Sequence, residues 1–144
     1  MAEKESPKYE PLSVVRIFTL PDGNSAFGRI SVPFGVDLGD IGTMSDWCPV
    51  NRLKFRVTPG SYDFDKHNAP REQLIINLDA SVECTTDRDG SHIIGKGDIL
   101  FVEDTDGVGH KSKAVDGKLR HSVFIECSRE SLESIGCVFS DEWS

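Results

Sequence analysis

Two histidines, His67 and His110, are the side chains in this chain with the clearest capacity for chemistry. Imidazole changes charge near neutral pH and is also a common ligand of divalent metals. The two residues are far apart in sequence, so only a chain that folds back as paired strands brings them together. Gln73 could add a carbonyl oxygen, although a neutral amide is a poorer ligand of a hard cation than a carboxylate. The three residues predict either a metal site of His67, Gln73 and His110 or a metal-free polar pocket.

Without a metal, His67 and His110 are expected to act as a general acid and base. Arg71 is the third candidate catalytic residue. It either forms an ion pair with Glu103 or Asp104 or holds a substrate carboxylate, because a guanidinium pairs with a carboxylate through two parallel hydrogen bonds.

Strand alternation adds further candidate ligand-binding residues. Gln73 and Asn77 share one face of a predicted strand, so both are expected to face the pocket. His121 is expected to face inward from the last strand, together with Val123 and Ile125. Trp47 lies in a long irregular loop, where it either caps the pocket or anchors packing. The ligand-binding set predicted in this way is Gln73, Asn77, Phe55, Trp47 and His121.

The elements that must position these residues are short strands separated by turns. β-branched and aromatic runs alternate with turn signals such as Pro21-Asp22-Gly23, and no long helical pattern occurs before residue 128. This spacing predicts an all-β sandwich or barrel over residues 13–127. Residues 1–12 are predicted to be a flexible tail, and residues 128–144 a C-terminal tail with one short helix. Leu74, Ile76 and Leu78 are expected to face outward, against either a second subunit or the N-terminal strands.

Composition excludes several classes of protein. The 144 residues include 16 Lys and Arg against 24 Asp and Glu, a net charge of −8. Such a chain lacks the basic stripe of a nucleic-acid-binding protein and is not suited to an anionic membrane surface. No apolar run approaches the roughly 18 residues that span a bilayer. The first dozen residues lack the apolar core of a signal peptide, so a cytoplasmic location with four free thiols is expected.

The spacing of residues around His67 resembles the first of the two motifs of the cupin superfamily. Gly60 precedes His67, as in that motif. Ala69 stands where the family usually has a second His, Gln73 where it has Glu, and Ala80 where it has the closing Gly. The run His-x-x-Pro-Arg-x-Gln is similar to the first motif of a group of small single-domain cupins.

The second motif of the family is matched by Gly97 and the five residues after it, 98–102. Glu103-Asp104-Thr105 then replaces the usual Pro-x-Gly, and His110 follows Gly107-Val108-Gly109 two residues later than expected. The resemblance covers about residues 13–127. It implies a cupin fold, that is, a double-stranded β-helix or jelly-roll barrel.

The same resemblance implies a small organic ligand, a homodimer and a divalent metal (Fe, Zn, Mn or Ni) as a candidate cofactor. The expected activity is that of a metal-assisted oxygenase or an acid–base isomerase or cyclase. The missing His and Glu leave a second hypothesis open, in which a non-catalytic cupin with a vestigial metal site binds a small ligand or a partner protein. No nucleophile elbow, phosphate-binding loop or zinc-protease motif supports another reaction class.

Overall fold

Strands account for most of the regular structure in the computed structural model, which describes residues 8–143. Residues 1–7 of the predicted tail and Ser144 lie outside the described part. The all-β prediction is confirmed, with one short helix near the C-terminus. The strands are β1 (Leu12–Thr19), β2 (Ser25–Val32), β3 (Val36–Asp37), β4 (Thr43–Met44), β5 (Arg52–Thr58), β6 (Asp63–His67), β7 (Gln73–Asn77), β8 (Val82–Thr86), β9 (Gly90–Ile94), β10 (Ile99–Val102), β11 (His110–Ala114), β12 (Arg120–Glu126) and β13 (Val138–Ser140); the helix is α1 (Arg129–Ser134).

The main strands form two sheets. The larger has seven strands in the order β13-β2-β1-β10-β7-β12-β5, and the smaller has four in the order β6-β11-β8-β9. β1 and β10 are parallel, whereas the other pairs are antiparallel. β3 and β4 form a small separate pair. Because β5 lies at an edge of the larger sheet, one side of its backbone has no strand partner there.

The main core lies between the two sheets. Alternate residues of each strand face inward, and the inward positions are mostly β-branched or aromatic. Ile17 and Phe27 are fully buried on the larger sheet, and Val82 and Ile94 meet them from the smaller sheet. Beside this core a cavity opens between the sheets, lined in part by residues of β5, β6 and β12.

A second core lies on the outer face of the larger sheet. Ser128 caps α1 by accepting a hydrogen bond from the backbone N–H of Ser131. The helix places Leu132 against this face, and Leu74 packs in the same cluster. The cover over Leu74 is therefore the C-terminal segment of the same chain, and Leu78, beyond that cover, is 51% exposed. Within residues 8–143, no helix is long and apolar enough to cross a membrane.

Candidate active site

His67 and His110 lie opposite each other on paired strands. They are Cα partners in the antiparallel pair of β6 and β11, and their ring centroids are 4.5 Å apart with the planes at 52°. The ladder changes register just after this pair, between His110 and Ser112. A bulge of this kind re-aims a side chain at the end of a strand. The fold thus brings together two residues that are distant in sequence.

A glycine turn makes the close approach of the two strands possible. Gly109 has a φ of +85°, and a Cβ at this position would lie 2.3 Å from the carbonyl oxygen of His67. Any larger residue would therefore both strain the backbone and push β6 away. Gly107, with a φ of +78°, makes a similar approach to the carbonyl oxygen of Gly23. The turn fixes where His110 enters its strand.

A buried carboxylate, Asp104, holds the ring of His110. Its Oδ2 accepts a hydrogen bond of 2.6 Å from Nδ1 of His110 and another of 2.9 Å from the hydroxyl of Ser25. Asp104 is fully buried, and its second oxygen, Oδ1, has no hydrogen-bond partner among residues 8–143. Because a carboxylate only accepts, Nδ1 of His110 carries a proton and Nε2 is the basic nitrogen. Sequence reasoning noted Asp104 only as a partner for Arg71 and missed this role.

His67 is held by its own strand. Its Nδ1 donates a hydrogen bond of 2.9 Å to the carbonyl oxygen of Asp65, and the ring of Phe64 packs edge-on at 4.4 Å. Burial lowers the pKa of His67 below its ordinary value; the hydrogen bond to Asp65 opposes this, and the nearby His110 adds to it. His67 is therefore neutral at neutral pH, and it lies beside the hydrogen-bonded pair of Asp104 and His110.

Both histidines open into a cavity of about 230 Å³ between the two sheets. Gln73 lines this cavity and is 7% exposed. The cavity is lined by a mixture of apolar, cationic and aromatic side chains. The lining residues besides the two histidines and Gln73 are Lys54, Arg56, Tyr62, Phe64, Ala69, Pro70, Ile75, Val82, Cys84, Leu100, Val102, Ser112, Arg120 and Phe124.

Asn77 shares the inward face with Gln73 but does not line the cavity. Its amide nitrogen donates to the carbonyl oxygens of Ile94 and Gly95, at 3.1 and 3.3 Å. Its amide oxygen accepts a hydrogen bond of 3.2 Å from Nη1 of Arg120, which does line the cavity. Asn77 thus orients a site residue that sequence reasoning missed.

Three of the predicted ligand-binding residues lie away from the cavity. Phe55 and Trp47 are 77% and 98% exposed. The side chain of His121 is 54% exposed, and its Nδ1 donates to Oδ2 of Asp79 at 2.6 Å. Phe55 and His121 fall on the outer face of the larger sheet because the alternating positions, Arg56 and Arg120, face inward. The alternation of faces along β12 is visible in the sequence. The prediction that His121 faces inward is wrong, because the structure places the face of Arg120 inside and that of His121 outside.

Arg71 also lies outside this cavity, in an adjoining depression, where it pairs with Glu126 at 3.0 Å. The two partners expected for it are engaged elsewhere. Glu103 pairs with Arg16, and Asp104 with His110. The ion pair that the sequence suggested for Arg71 is therefore made with a different carboxylate, and Arg71 does not reach the two histidines.

Cys84 lines the cavity but is not suited to act as a nucleophile. Burial raises its pKa to about 12, and the nearby positive charge of Arg120 offsets only part of this effect. The thiolate is the reactive form of cysteine. The side chain of Cys84 is therefore a protonated thiol at neutral pH and contributes apolar wall rather than chemistry.

The side chains around the two histidines fit a divalent metal poorly. Within residues 8–143 no three His, Cys, Asp or Glu side chains are grouped so that they could hold a metal ion. His67 and His110 leave one ring nitrogen each, Gln73 offers a neutral oxygen, and Asp104 lies behind His110. A zinc or iron site ordinarily has at least three strong protein ligands. The polar groups present are better matched to proton transfer.

Comparison with known proteins gives little further guidance. No protein-family model matches the chain, and no curated protein matches it. Among solved structures, a crystal structure of protein NMB1881 from Neisseria meningitidis is similar over 55% of this chain and 79% of its own, with 20% sequence identity and a TM-score of 0.41. A likeness of this extent identifies neither a family nor an activity.

Proposed function

We propose that this chain is a cupin whose pocket binds a small organic molecule and catalyses proton transfer, as an isomerase or cyclase. The observation that carries the proposal is the buried Asp104–His110 pair in the wall of a cavity that also holds His67. A carboxylate behind an imidazole fixes both its tautomer and its orientation, which a structural histidine does not need.

In the proposed reaction, Nε2 of His110 removes a proton from the substrate and later returns one. Asp104 keeps its hydrogen bond to Nδ1 and stabilises the imidazolium that forms. His67 stands beside His110 as a neutral imidazole, able to accept or donate a proton at a second substrate atom. Val82 and Leu100 give the cavity an apolar lining near the two histidines.

Solvent exchange tests this activity without knowledge of the natural substrate. In D₂O, 2-oxobutyrate offers acidic carbon-bound protons whose replacement is followed by NMR. We expect the protein to accelerate exchange and His110→Gln to lower the rate by a factor of about 100 or more. Asp104→Asn should lower it as well, because the amide favours the wrong tautomer. His92→Gln is the matched control, since His92 lies outside the cavity. Equal rates for the wild type and His110→Gln would contradict the proposal.

The alternative with a metal cofactor makes a different prediction. If Fe, Zn, Mn or Ni is held by His67, Gln73 and His110, the purified protein contains about one equivalent of metal, and chelation abolishes the exchange activity. Gln73→Glu should then strengthen metal binding, because it restores the carboxylate. In the metal-free mechanism, chelation leaves the exchange rate unchanged.

The second candidate function is non-catalytic binding of a small ligand or a partner protein. It is favoured by Ala69 and Gln73, which replace the two strongest metal ligands of the cupin motif. A His67→Ala/His110→Ala double variant that keeps full ligand affinity would support it over catalysis.

We also propose that the protein is a cytoplasmic homodimer. All four cysteines are free thiols, as is usual in a reducing compartment. The outer face of β5 exposes Leu53, Phe55 and Val57, at 51%, 77% and 57%, beside an unpaired sheet edge. Contiguous apolar surface of this kind marks interaction sites. Light scattering should give a dimer for the wild type and a monomer for Phe55→Glu, whereas a monomeric wild type would contradict the proposal.

A further inference from the structure

The cavity is lined by cations and by no carboxylate. Lys54, Arg56 and Arg120 line it together with the two histidines, and none of the lining residues is Asp or Glu. The chain as a whole has the opposite bias, with 24 acidic and 16 basic residues. A pocket whose charge opposes that of the whole molecule concentrates ligands of the other sign.

The two arginines are brought together by neighbouring strands. Arg56 on β5 and Arg120 on β12 both face inward, and in the ladder Arg120 is opposite Thr58 while Arg56 is opposite Ser122. Their guanidinium carbons lie 5.4 and 6.0 Å from the centroid of the same ring, that of Tyr62. Two like charges are thus held close to one aromatic side chain.

Neither arginine has a counter-charge in residues 8–143. Arg120 is only 6% exposed, and its one side-chain hydrogen bond goes to the amide oxygen of Asn77. Buried charges in proteins are ordinarily paired, because removing a lone ion from water costs several kcal/mol. Burial lowers the pKa of Arg120, and the positive charge of Arg56 lowers it further. Arg120 is therefore a buried cation that no side chain of residues 8–143 neutralises, and its burial lowers the stability of the fold.

Two buried hydroxyls beside the arginines are also without partners. Oγ1 of Thr58 and Oγ of Ser122 are buried and make no hydrogen bond within the described residues. Both lie on the inward face of their strands, at the positions opposite Arg120 and Arg56. Neither residue lines the cavity, but buried hydroxyls are nearly always satisfied, so the strand segments that carry the two arginines hold unmatched polar atoms. This observation is independent of the charge.

We propose that the pocket takes a small organic acid, with its anionic group on Arg56 and Arg120 and its apolar body against Val82, Leu100 and Val102. Two guanidinium groups bind a carboxylate through charge-assisted hydrogen bonds. Val82, Leu100 and Val102 line the same cavity, so the site has apolar as well as cationic lining. This inference rests on the proposed function for the role of His110, and it names the class of substrate on which that residue would act.

Calorimetric titration with hexanoate and hexanamide tests the proposal, since the two probes have the same chain length and differ in charge. We expect hexanoate to bind saturably and hexanamide to bind at least about tenfold more weakly, because a hydrogen bond to a charged group contributes about 1.5–3 kcal/mol. Arg120→Gln should weaken hexanoate by a similar factor. If Arg120→Gln does not fold, Arg56→Gln serves in its place. Arg71→Gln is the matched control outside the cavity and should change the affinity less than about twofold.

Several outcomes would overturn the proposal. They are equal affinity for hexanoate and hexanamide, no hexanoate binding up to about 10 mM, and loss of binding in Arg71→Gln in place of Arg120→Gln. Saturable binding of inorganic phosphate without binding of hexanoate would also overturn it, because the site would then take an anion with no apolar body. If hexanoate binds but no solvent exchange is catalysed, the proposed function fails and the binding inference stands.

Discussion

Arg16 and Arg120 are buried to nearly the same extent, at 3% and 6% exposed, but they differ in the charge of their hydrogen-bond partners. Arg16 pairs with Glu103 and with Asp141, the latter at 2.6 Å, and donates to the carbonyl oxygen of Ser140 at 3.1 Å. Arg120 has one neutral amide oxygen at 3.2 Å. Among the residues that the structure describes, the charge of Arg16 is neutralised by carboxylates and that of Arg120 is not.

The difference separates a structural cation from a candidate binding cation. Arg16 on β1 ties down the end of β13, which lies two strands away in the larger sheet, since Ser140 is the last residue of β13 and Asp141 follows it. All three partners are more than 80 residues from Arg16 in sequence. Arg120 is instead oriented by Asn77 toward a cavity that lacks a carboxylate. Burial alone does not distinguish the two arginines, whereas the inventory of their partners does.

The largest effect on stability is expected from Arg16→Met. The change leaves Glu103 buried, with its side chain 8% exposed and Arg129 as the remaining partner at 3.7 Å. Removing one member of a buried ion pair typically costs about 3–5 kcal/mol, which urea unfolding measures. Adding Glu103→Leu should recover part of the loss because the orphaned charge is gone. A loss below about 1 kcal/mol would show that the pair is not structural.

Arg120→Met should have a much smaller effect on stability than Arg16→Met, while removing anion binding. The substitution deletes an unpaired buried charge and replaces it with an apolar side chain of similar length, which is often neutral or stabilising. We expect the free energy of unfolding to change by less than about 1 kcal/mol, and hexanoate affinity to fall at least about tenfold. A loss as large as that of Arg16→Met would remove the distinction between the two arginines.

The third prediction concerns how His67, which lines the cavity near Arg56, makes the stability of the fold depend on pH. Burial, together with His110 and Arg56, holds the pKa of His67 below its ordinary value of about 6.5. Below that pH the unfolded state binds a proton that folded His67 does not, so this residue contributes a loss of stability as the pH falls below about 6.5. His67→Gln should flatten that part of the pH profile. Bound hexanoate should raise the pKa of His67 in an NMR titration, and a lowered pKa would contradict an anion beside Arg56.

The smallest effect concerns Cys84, which has Arg120 as a neighbour. Burial raises the pKa of this thiol to about 12 despite that positive charge. In the folded protein at about pH 8, iodoacetamide should therefore leave Cys84 unmodified while it reacts with the partly exposed Cys48. Mass spectrometry of peptides from the treated protein distinguishes the two. Rapid modification of Cys84 would contradict both its burial and its raised pKa.

Much of the fold was predictable, since alternation and turn residues predict short strands through local rules. The run from Gln73 to Asn77 forms β7, and the turn around Gly90 joins β8 to β9. The short C-terminal helix follows a Ser that serves as its cap. The cupin assignment stays a proposal, because the two-motif pattern on which it rests lacks its second His and its Glu.

The candidate site was less predictable. The sequence singled out His67, His110 and Gln73, and the structure places all three in one cavity. The sequence alone does not show that Asp104, six residues before His110, hydrogen-bonds to its imidazole. That contact depends on the path of the turn at Gly107–Gly109. An acidic residue shortly before a glycine-rich turn and a histidine is the sequence pattern that could have suggested this contact.

The sequence by itself determined which residues share a face of each strand, because side chains alternate with a period of two. Only the tertiary structure decided which face is inside. On β5 that choice put Arg56 in the cavity and Phe55 on the surface, and on β12 it put Arg120 inside and His121 outside. Alternation has no direction until two sheets pack, and a shift of one residue exchanges the faces. The cationic pocket is a product of that packing.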